Sequence, residues 1–261
     1  MSTNKFPKIS VITPTYNQVD YIERTIRSVL EQEYPNLEYI IVDGASRDGT
    51  LDIIKDYKDK VILISEKDKG HSDAINKGLK RATGEIICYL NSDDLLEKGS
   101  LFEVARIFSS DKNIKWLSGR CRIINTDDRE IRQGIRNYKN FWLSHYNYWI
   151  LKILNFISQP ATFWRKEAVE ETFDEELYYT MDYDFWLRIG QKYRPYISDK
   201  YFASFRIQPK SKSVLGFQKQ FTEEYQVLKR YSRSKIILFL HRLHYYLFIH
   251  GPYTALTLIS R

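Results

Sequence analysis

Apolar and polar positions alternate along the first 110 residues in blocks that predict a repeated strand and helix order. Short apolar runs have the length and composition of buried strands. Helical apolar spacing follows each of the first three runs. Because strands that alternate with helices form a parallel sheet covered on both faces, we predict an α/β fold. The predicted strands lie at 9–13, 37–43, 60–66 and 86–90.

The predicted helices carry recognisable end signals. In the first helix Ile22, Ile26 and Val29 recur at helical spacing, and Asp20 with Glu23 fits a capping box. The second helix is expected to start at Thr50. The third, in "SDAINKGLKRATG", is expected to stop at Gly84, since glycine commonly follows a helix end.

The second half of the chain is less regular. We predict a helix in "SLFEVARIF", a strand in "WLSGRCRIINT", and helices in "TMDYDFWLRIGQKY" and "FQKQFTEEYQVLKRY". The aromatic stretch 137–157 fits no single element. With no low-complexity linker, three packed parts are expected: a nucleotide-binding half (1–110), an acceptor-side and catalytic half (111–214) and a helical tail (215–261).

Composition limits the class of protein. Hydrophobic residues make up 43% of the chain and charged residues 28%, as in folded soluble domains. Two cysteines give no disulfide framework, which fits a reducing cytosol. The N-terminus shows no secretory signal, and no stretch reaches the roughly 18 apolar residues of a spanning helix. The charge of +7 is scattered, so no nucleic-acid partner is expected.

Polar residues follow the predicted strands. In parallel sheets, ligands bind beyond the carboxyl ends of the strands. Asp93 and Asp94 are like charges that a divalent cation and a diphosphate would reconcile, or alternatively they cap the next helix. Asp43 would bind a ribose or a base, or would form an Asx-turn with Gly44. The chain has neither a dinucleotide-binding glycine motif nor a P-loop.

Two long segments carry a resemblance to a known family. "ISVITPTYNQVDYIERTIRSVLEQEYPNLEYIIVDGASRDGT" and "SEKDKGHSDAINKGLKRATGEIICYLNSDD" resemble the family 2 glycosyltransferases of GT-A fold. The resemblance is nearly continuous over residues 8–100 and then rests on "SQPATFWRKE" and "MDYDFWLR". It implies a Rossmann-like, mainly parallel sheet flanked by helices, with a C-terminal acceptor-side half and a helical tail.

The resemblance also implies a nucleotide and metal site. "NSDD" occupies the place of the family's metal-binding D-x-D motif, with Asn91 or Ser92 where that motif has its first acid. Asp94 is the expected direct ligand of Mn²⁺ or Mg²⁺, with Asp93 near the ribose or in the metal shell. The nucleotide-binding residues that it implies are Thr13, Pro14, Thr15, Tyr16, Asn17, Asp43, Asp73 and Asp93.

A catalytic base and an acceptor side follow from the same resemblance. Asp182 aligns with the family's base, Met181 replaces the usual preceding acid, and Asp184 is the fallback; ordinary helix N-terminal acids are the alternative. Gln159 and Trp164 are expected on the acceptor side, the alternative being a strand packed in the core. We also considered Arg206 and Lys210 as contacts of a diphosphate.

The implied activity is an inverting transfer of a sugar. The donor would be a nucleoside-diphosphate sugar, by family habit a UDP-sugar, and the acceptor a saccharide or lipid-linked saccharide in cell-surface polysaccharide biosynthesis. One alternative is a sugar-1-phosphate nucleotidyltransferase, although "TPTYNQVDY" lacks the glycine- and base-rich loop of such enzymes. The other is a non-catalytic module that binds nucleotide sugars or glycans.

The tail, 235–261, is crowded with aliphatic and aromatic residues. Three roles stay open: contact with an anionic membrane surface, packing on the chain's own domain, or a homodimer contact. The expected location is the cytoplasm, including the inner face of the membrane.

Overall fold

Eight strands form one mixed sheet. The computed structural model of the protein describes residues 6–169, 172–209, 211 and 216–250. The order across the sheet is β3-β2-β1-β4-β7-β6-β8-β5. The strands are β1 (Ile9–Thr15), β2 (Leu37–Asp43), β3 (Ile62–Ser65), β4 (Ile86–Tyr89), β5 (Leu95–Leu96), β6 (Trp116–Ile124), β7 (Thr162–Arg165) and β8 (Tyr196–Arg206).

Helices cover both faces of this sheet. Short 3₁₀ turns at Gln159–Ala161 and Lys166–Ala168 flank β7, and a π-helical turn spans Tyr245–His250. The α-helices are α1 (Ile22–Leu30), α2 (Thr50–Lys55), α3 (His71–Arg81), α4 (Ser100–Ser110), α5 (Gln133–Ser144), α6 (Tyr148–Ile153), α7 (Met181–Lys192), α8 (Phe217–Tyr231) and α9 (Lys235–His244).

The first four strands, β1 to β4, are parallel to one another. β1 pairs with both β2 and β4, and β3 pairs with β2. The register sets Thr15 opposite Asp43 and Asp43 opposite Ser65, so their strand ends share one edge. The predicted α/β alternation is therefore present in this half. Beyond it the sheet is mixed, because β7 runs antiparallel to β4 and to β6.

Apolar side chains alternate between two cores, one on each face of the sheet. Ile12 and Ile87 point to the core that holds Ile75 of α3 and Trp186 of α7. Their neighbours in sequence point to the second core, which is closed by α1 and α4. Because both faces are covered, the parallel strands are apolar at nearly every position.

The predicted capping box at α1 is wrong. The residue before the helix is Tyr21, and no side chain caps this end. The backbone N–H groups of Tyr21 and Ile22 instead donate to the carbonyl of Gln18. The turn before the helix thus supplies the acceptor, and Glu23 accepts a hydrogen bond from the hydroxyl of Tyr57 in place of closing a box.

Gly84 does not end α3 as predicted. The helix ends at Arg81, and Ala82 is already extended. Gly84 instead lies against β1, where its N–H donates to Ser10 Oγ at 2.8 Å. A Cβ at this position would lie 2.5 Å from Ser10 Oγ and 2.6 Å from Ser10 N. The glycine is therefore required by the close approach of two backbones.

The stretch 137–157 and the described part of the tail, 235–250, pack on the domain. The former gives most of α5 together with α6. In α9, Ile237 and His241 are buried, and the ring of His241 contacts the Ile153 carbonyl at 3.1 Å. Residues 251–261 of the tail lie outside the described residues. Within the described ranges, no helix combines the length and the apolar character needed to cross a bilayer.

We expect Gly84→Ala to lower the free energy of unfolding by about 1–3 kcal/mol, because the added methyl group would force Gly84 and Ser10 apart. Urea denaturation measures this change. Gly134→Ala is the matched control, since a Cβ there meets nothing within 4 Å. Equal stability of the two variants would show that the approach at Gly84 is not a constraint.

Candidate active site

The end of β1 places a polar segment at the sheet edge. Thr13 Oγ1 lies 3.1 Å from the hydroxyl of Tyr39, and both groups are buried. Pro14 and Thr15 are also buried, and Thr15 Oγ1 has no hydrogen-bond partner among the described residues. Tyr16, by contrast, is 58% exposed. Of this segment, the ring of Tyr16 is thus available for contact with a ligand.

Asn17 holds the neighbouring loop. Its φ of 51° is in the left-handed region, which asparagine tolerates better than most residues. Its side-chain oxygen accepts from the N–H of Arg47, and its own N–H donates to Ser46 Oγ, both at 2.9 Å. Asn17 therefore fixes the loop after β2 against the loop after β1.

Asp43 is buried at the end of β2. Its carboxylate accepts from the N–H of Ser46 and, at 2.8 Å, from the hydroxyl of Ser65. The N–H of Gly44 donates to Thr15 O. The carboxylate is therefore used locally, close to the turn alternative, and it joins the ends of β2 and β3.

Asp68 lies beside Gly44 and is a candidate that the sequence analysis did not single out. A Cβ built on Gly44 would contact the Asp68 carboxylate and would lie 3.4 Å from the Tyr16 ring, so these three residues adjoin. Burial, followed by the charges of Asp73 and Asp43, raises the pKa of Asp68. The signal was available, because Asp68 follows β3 as closely as Asp93 follows β4.

Asp73 lies in the first turn of α3. Its carboxylate accepts from the N–H of Lys69 at 2.9 Å and pairs with Lys77 at 3.4 Å. These partners lower its pKa, the Lys69 N–H most strongly. Asp73 is thus an ionised residue whose charge reaches Asp68, with its Oδ2 engaged by protein groups.

Asp93 and Asp94 follow β4 and differ in accessibility. Asp94 is 0% exposed; its Oδ1 accepts from the N–H of Arg206 at 2.8 Å and its Oδ2 from Asn91 at 3.0 Å. Asp93 is partly exposed and accepts from Gln208 at 3.0 Å. Burial raises the pKa of both acids, and the charge of Asp93 raises that of Asp94 further.

The two acids differ in what they offer to a ligand. Asp94, the expected direct metal ligand, is fully buried, and both its oxygens accept hydrogen bonds from the protein. The helix-cap alternative fails, since α4 begins only at Ser100. Asp93 is the more exposed of the two residues. Two residues before it, Asn91 Oδ1 is buried without a hydrogen-bond partner among the described residues.

Oxygen donors at Asn91 and Asp93 suit a hard divalent cation. No group of three or more His, Cys, Asp or Glu side chains that could hold a metal occurs in the part of the chain that the structure describes. An ion at Asp93 would therefore take most of its ligands from a bound diphosphate and from water.

Asp182 lies in the first turn of α7 and is partly exposed. Its Oδ1 accepts from the N–H of Tyr183 at 2.8 Å. Burial raises the pKa of Asp182, with a smaller increase from Glu223, while the charge of Lys139 opposes it. Burial and the charges of Asp182 and Asp94 also raise the pKa of Tyr89, at the end of β4. Asp182 and Asp94 thus both act on the phenol of Tyr89.

Asp184 does not serve as the fallback base. It is buried, accepts from the Tyr231 hydroxyl at 2.8 Å, and lies 3.6 Å from both Arg188 and Arg230. These contacts tie α7 to α8 and neutralise the carboxylate. Its role in this structure is to join two helices.

The two residues expected on the acceptor side, Gln159 and Trp164, lie in different surroundings. Gln159 lies beside the acids, donating to Tyr89 O at 2.6 Å and accepting from Asn91. Trp164 is only 2% exposed, and its ring packs on Phe185 with centroids 5.0 Å apart. The packing alternative therefore holds for Trp164, and its assignment to the acceptor is wrong.

Arg206 does not point to a diphosphate. It is the last residue of β8, is 1% exposed, and pairs with Asp128 at 2.5 Å. Its Nε donates to Asp93 O at 2.7 Å. Arg206 therefore supports the backbone of the acid pair from behind. Lys210 lies outside the described residues.

Relatives of known name match parts of this chain. The model of glycosyl transferase family 2 matches residues 10–173, well over half of the chain. The putative teichuronic acid biosynthesis glycosyltransferase TuaG of Bacillus subtilis is 46% identical over 103 residues. That match covers 38% of this chain and 41% of the relative, so the chain spans less than half of the relative's length there.

Solved structures share the fold. S. aureus TarS 1–349 in complex with UDP matches with a TM-score of 0.66 at 22% identity, over 94% of this chain and 73% of that one. The mannosyltransferase PcManGT from Pyrobaculum calidifontis, in complex with GDP-Man and Mn²⁺, matches with a TM-score of 0.70 at 20% identity, over 93% and 70%. The expected GT-A fold is confirmed, and the chain belongs to glycosyl transferase family 2.

Proposed function

We propose that this glycosyltransferase moves a sugar from a nucleoside-diphosphate sugar to a hydroxyl of a saccharide or lipid-linked saccharide, with inversion at the anomeric carbon. The observation that carries the proposal is the placement of two partly exposed acids near the end of β4. Asp93 follows this strand, and the charge of Asp182 acts on Tyr89, the last residue of the strand. Family membership supplies the reaction class.

The donor's nucleotide is proposed to lie at the ends of β1, β2 and β3. The exposed ring of Tyr16 offers a face for a base, and the carboxylate of Asp68 beside it accepts hydrogen bonds from base or ribose donors. Fold neighbours were solved with UDP, UDP-GlcNAc and GDP-Man. They favour a nucleotide sugar, and UDP is the nucleotide that we would test first.

Asp93, with the amide oxygen of Asn91, is proposed to hold Mn²⁺ or Mg²⁺. Such an ion, when bound, neutralises charge that grows on a departing diphosphate. PcManGT, which shares the fold, was solved with Mn²⁺. In this chain Asp94 fixes the loop through Arg206 and Asn91, and Asp93 presents the charge.

The chemical step is proposed as one displacement. Asp182 takes the proton of the acceptor hydroxyl, whose oxygen forms a bond to the anomeric carbon as the bond to the diphosphate oxygen breaks. The raised pKa of Asp182 suits a general base, because proton transfer is most effective when the pKa of the base approaches the working pH. Gln159, next to Tyr89 O, is proposed to contact the acceptor.

Cell-surface polysaccharide synthesis is the proposed context. The name of the TuaG relative refers to teichuronic acid biosynthesis. Turnover assays with a panel of donors and acceptors identify the sugar, the linkage and the polymer for this chain. The expected place of action is the cytoplasmic side of the membrane.

We expect Asp182→Asn to lower kcat by roughly 10²–10⁴-fold, the usual contribution of a general base, while leaving donor affinity nearly unchanged. Turnover assays and calorimetry with the same donor measure the two effects. Asp199→Asn, an exposed change on β8, is the control. Full activity of Asp182→Asn would remove this residue from the mechanism.

The products separate the competing functions. Incubation of a donor panel with Mn²⁺ should release a nucleoside diphosphate if the chain transfers sugars. Release of pyrophosphate from a nucleoside triphosphate and a sugar 1-phosphate would indicate the nucleotidyltransferase. Donor binding without turnover would indicate the binding module.

We expect Mn²⁺ to raise the melting temperature, because it offsets the repulsion between Asp93 and Asp94. Asp93→Asn should abolish this shift, and in metal-free buffer it should be no less stable than the wild type. Differential scanning calorimetry measures both. Asp52→Asn, an exposed change on α2, should keep the shift. An unchanged metal response in Asp93→Asn would place the ion elsewhere.

The exposed face of α9 is proposed to contact an anionic bilayer. Residues 225–261 contain six Lys or Arg and no Asp or Glu, so an anionic surface complements this segment. Apolar groups at helical spacing with bases alongside are typical of interfacial helices. A homodimer contact is the competing occupant. The exposed apolar residues are Ile236, Phe239, Leu240, Leu243 and Leu247, opposite the buried Ile237 and His241.

We expect the protein to sediment with vesicles that contain phosphatidylglycerol and much less with pure phosphatidylcholine, since basic residues favour anionic lipid. The double change Phe239→Asp, Leu243→Asp should release it, whereas Tyr196→Asp, on β8, should not. If the double variant still sediments, the face is not the contact. If it instead turns a dimer into a monomer in light scattering, the second copy is the occupant.

A further inference from the structure

Helix α8 places one carboxylate, that of Glu223, at the start of α7. Glu223 accepts four hydrogen bonds from a three-residue segment. The N–H groups of Tyr178, Tyr179 and Thr180 donate at 2.9, 2.6 and 2.8 Å, and the Thr180 hydroxyl donates at 2.9 Å. Three successive backbone donors on one carboxylate fix the path of the chain into α7.

The segment that leads into α7 is therefore held by a side chain of another helix. Thr180 is the residue before α7, and its own side chain does not cap the helix. Its hydroxyl is turned to Glu223 instead. Hydrogen bonds to an ionised acceptor are among the stronger ones, and an acid near a helix N-terminus is also favourable.

A second contact holds the same segment. A Cβ at Gly216, the residue before α8, would collide with the ring of Tyr179. The ring therefore occupies the space that a side chain at residue 216 would need. The start of α8 and Glu223 together hold the segment 178–180 from two sides.

Asp182 follows this segment by two residues, so the orientation of its carboxylate depends on the path that Glu223 fixes. The charge of Glu223 also reaches Asp182 and raises its pKa. The other groups that face Asp182 are Lys139 from α5, Glu224 from α8 and the Tyr89 phenol from β4. Glu223 is thus one of several charges near the base, but it is the one bonded to the segment preceding it.

We propose that Glu223 is a positioning residue for Asp182, which holds the start of α7 so that the catalytic carboxylate faces the acceptor. This inference rests on the proposed function of Asp182. It also suggests how the chain manages without an acid immediately before the base, where Met181 stands: a carboxylate is supplied from α8. Both helices lie beyond residue 173, where the match to the family model ends.

Another contact between α8 and this region provides a matched control. Arg230 pairs with Asp174 at 2.8 Å, and both side chains are partly exposed. Asp174→Asn therefore weakens a link between α8 and the segment before α7 without touching residues 178–180. If Glu223 merely attached α8 to the domain, the two positions would behave alike.

Hydrogen–deuterium exchange tests, without any substrate, whether Glu223 holds residues 178–180. In Glu223→Ala the amides of 178–182 should exchange faster, while those of β1 and β4 should not, and Asp174→Asn should leave 178–182 unchanged. Circular dichroism shows whether each variant is folded; should Glu223→Ala fail to fold, Glu223→Gln takes its place. Unchanged exchange at 178–182 in a folded variant would overturn the proposal, whatever the enzyme turns over.

Kinetics with a donor that the wild type turns over tests the consequence for Asp182. In Glu223→Ala, kcat should fall roughly 10–100-fold, as expected for a misplaced catalytic group, with little change in donor KM. In Glu223→Gln, the loss of negative charge lowers the pKa of Asp182. Because the base acts when deprotonated, the acidic limb of the kcat/KM profile should move to lower pH.

Glu223→Asp separates charge from reach. It restores the charge with a shorter side chain, so its acidic limb should return toward that of the wild type while kcat stays low. A folded set of variants with faster exchange at 178–182 but wild-type kcat and pH profile would overturn the positioning role. Absence of turnover by the wild type on every donor would refute the proposed function. Hydrogen–deuterium exchange alone would then show whether Glu223 holds residues 178–180.

Discussion

The buried carboxylate of Asp94 is the contact on which the conformation of the loop after β4 depends. It joins the loop after β4 to the end of β8, because its two oxygens accept from the Arg206 backbone and from Asn91. A buried acceptor left without a partner would cost about 1–3 kcal/mol. The loop must therefore adopt the conformation that satisfies both oxygens. In that conformation Asp93 is partly exposed, and the side-chain oxygen of Asn91 has no hydrogen-bond partner among the described residues.

The loop conformation explains why the adjacent acids Asp93 and Asp94 differ in burial and in contacts. A single carboxylate after β4 would have to both anchor the loop and meet a ligand. Two allow one to be buried and the other to be presented. The sequence order alone, "NSDD", does not say which is which, since the answer depends on a backbone N–H that comes from residue 206.

Much of the nucleotide side was predictable from the sequence because it depends on local pattern. Apolar runs followed by polar residues identified β1, β2, β3 and β4, and parallel pairing brought their ends to one edge. What failed depends on contacts between distant segments. Gly84 was read as a helix stop but is needed for approach to Ser10, and Trp164 was read as a ligand contact but is covered by Phe185. Asp68 obeyed the strand-end rule and was overlooked.

The surroundings of Asp182 and Asp184 were predictable only in part, because they are formed by α8, near the end of the described chain. The resemblance indicated Asp182 as the base, with Asp184 as the fallback. In the structure the two acids differ in their contacts with α8: Tyr231 and Arg230 engage Asp184, whereas Glu223 binds the segment before Asp182, which is partly exposed. Helix α8 is therefore more than a cover for the core. It engages Asp184 and fixes the path to Asp182, so of these two acids of α7 Asp182 is the more exposed.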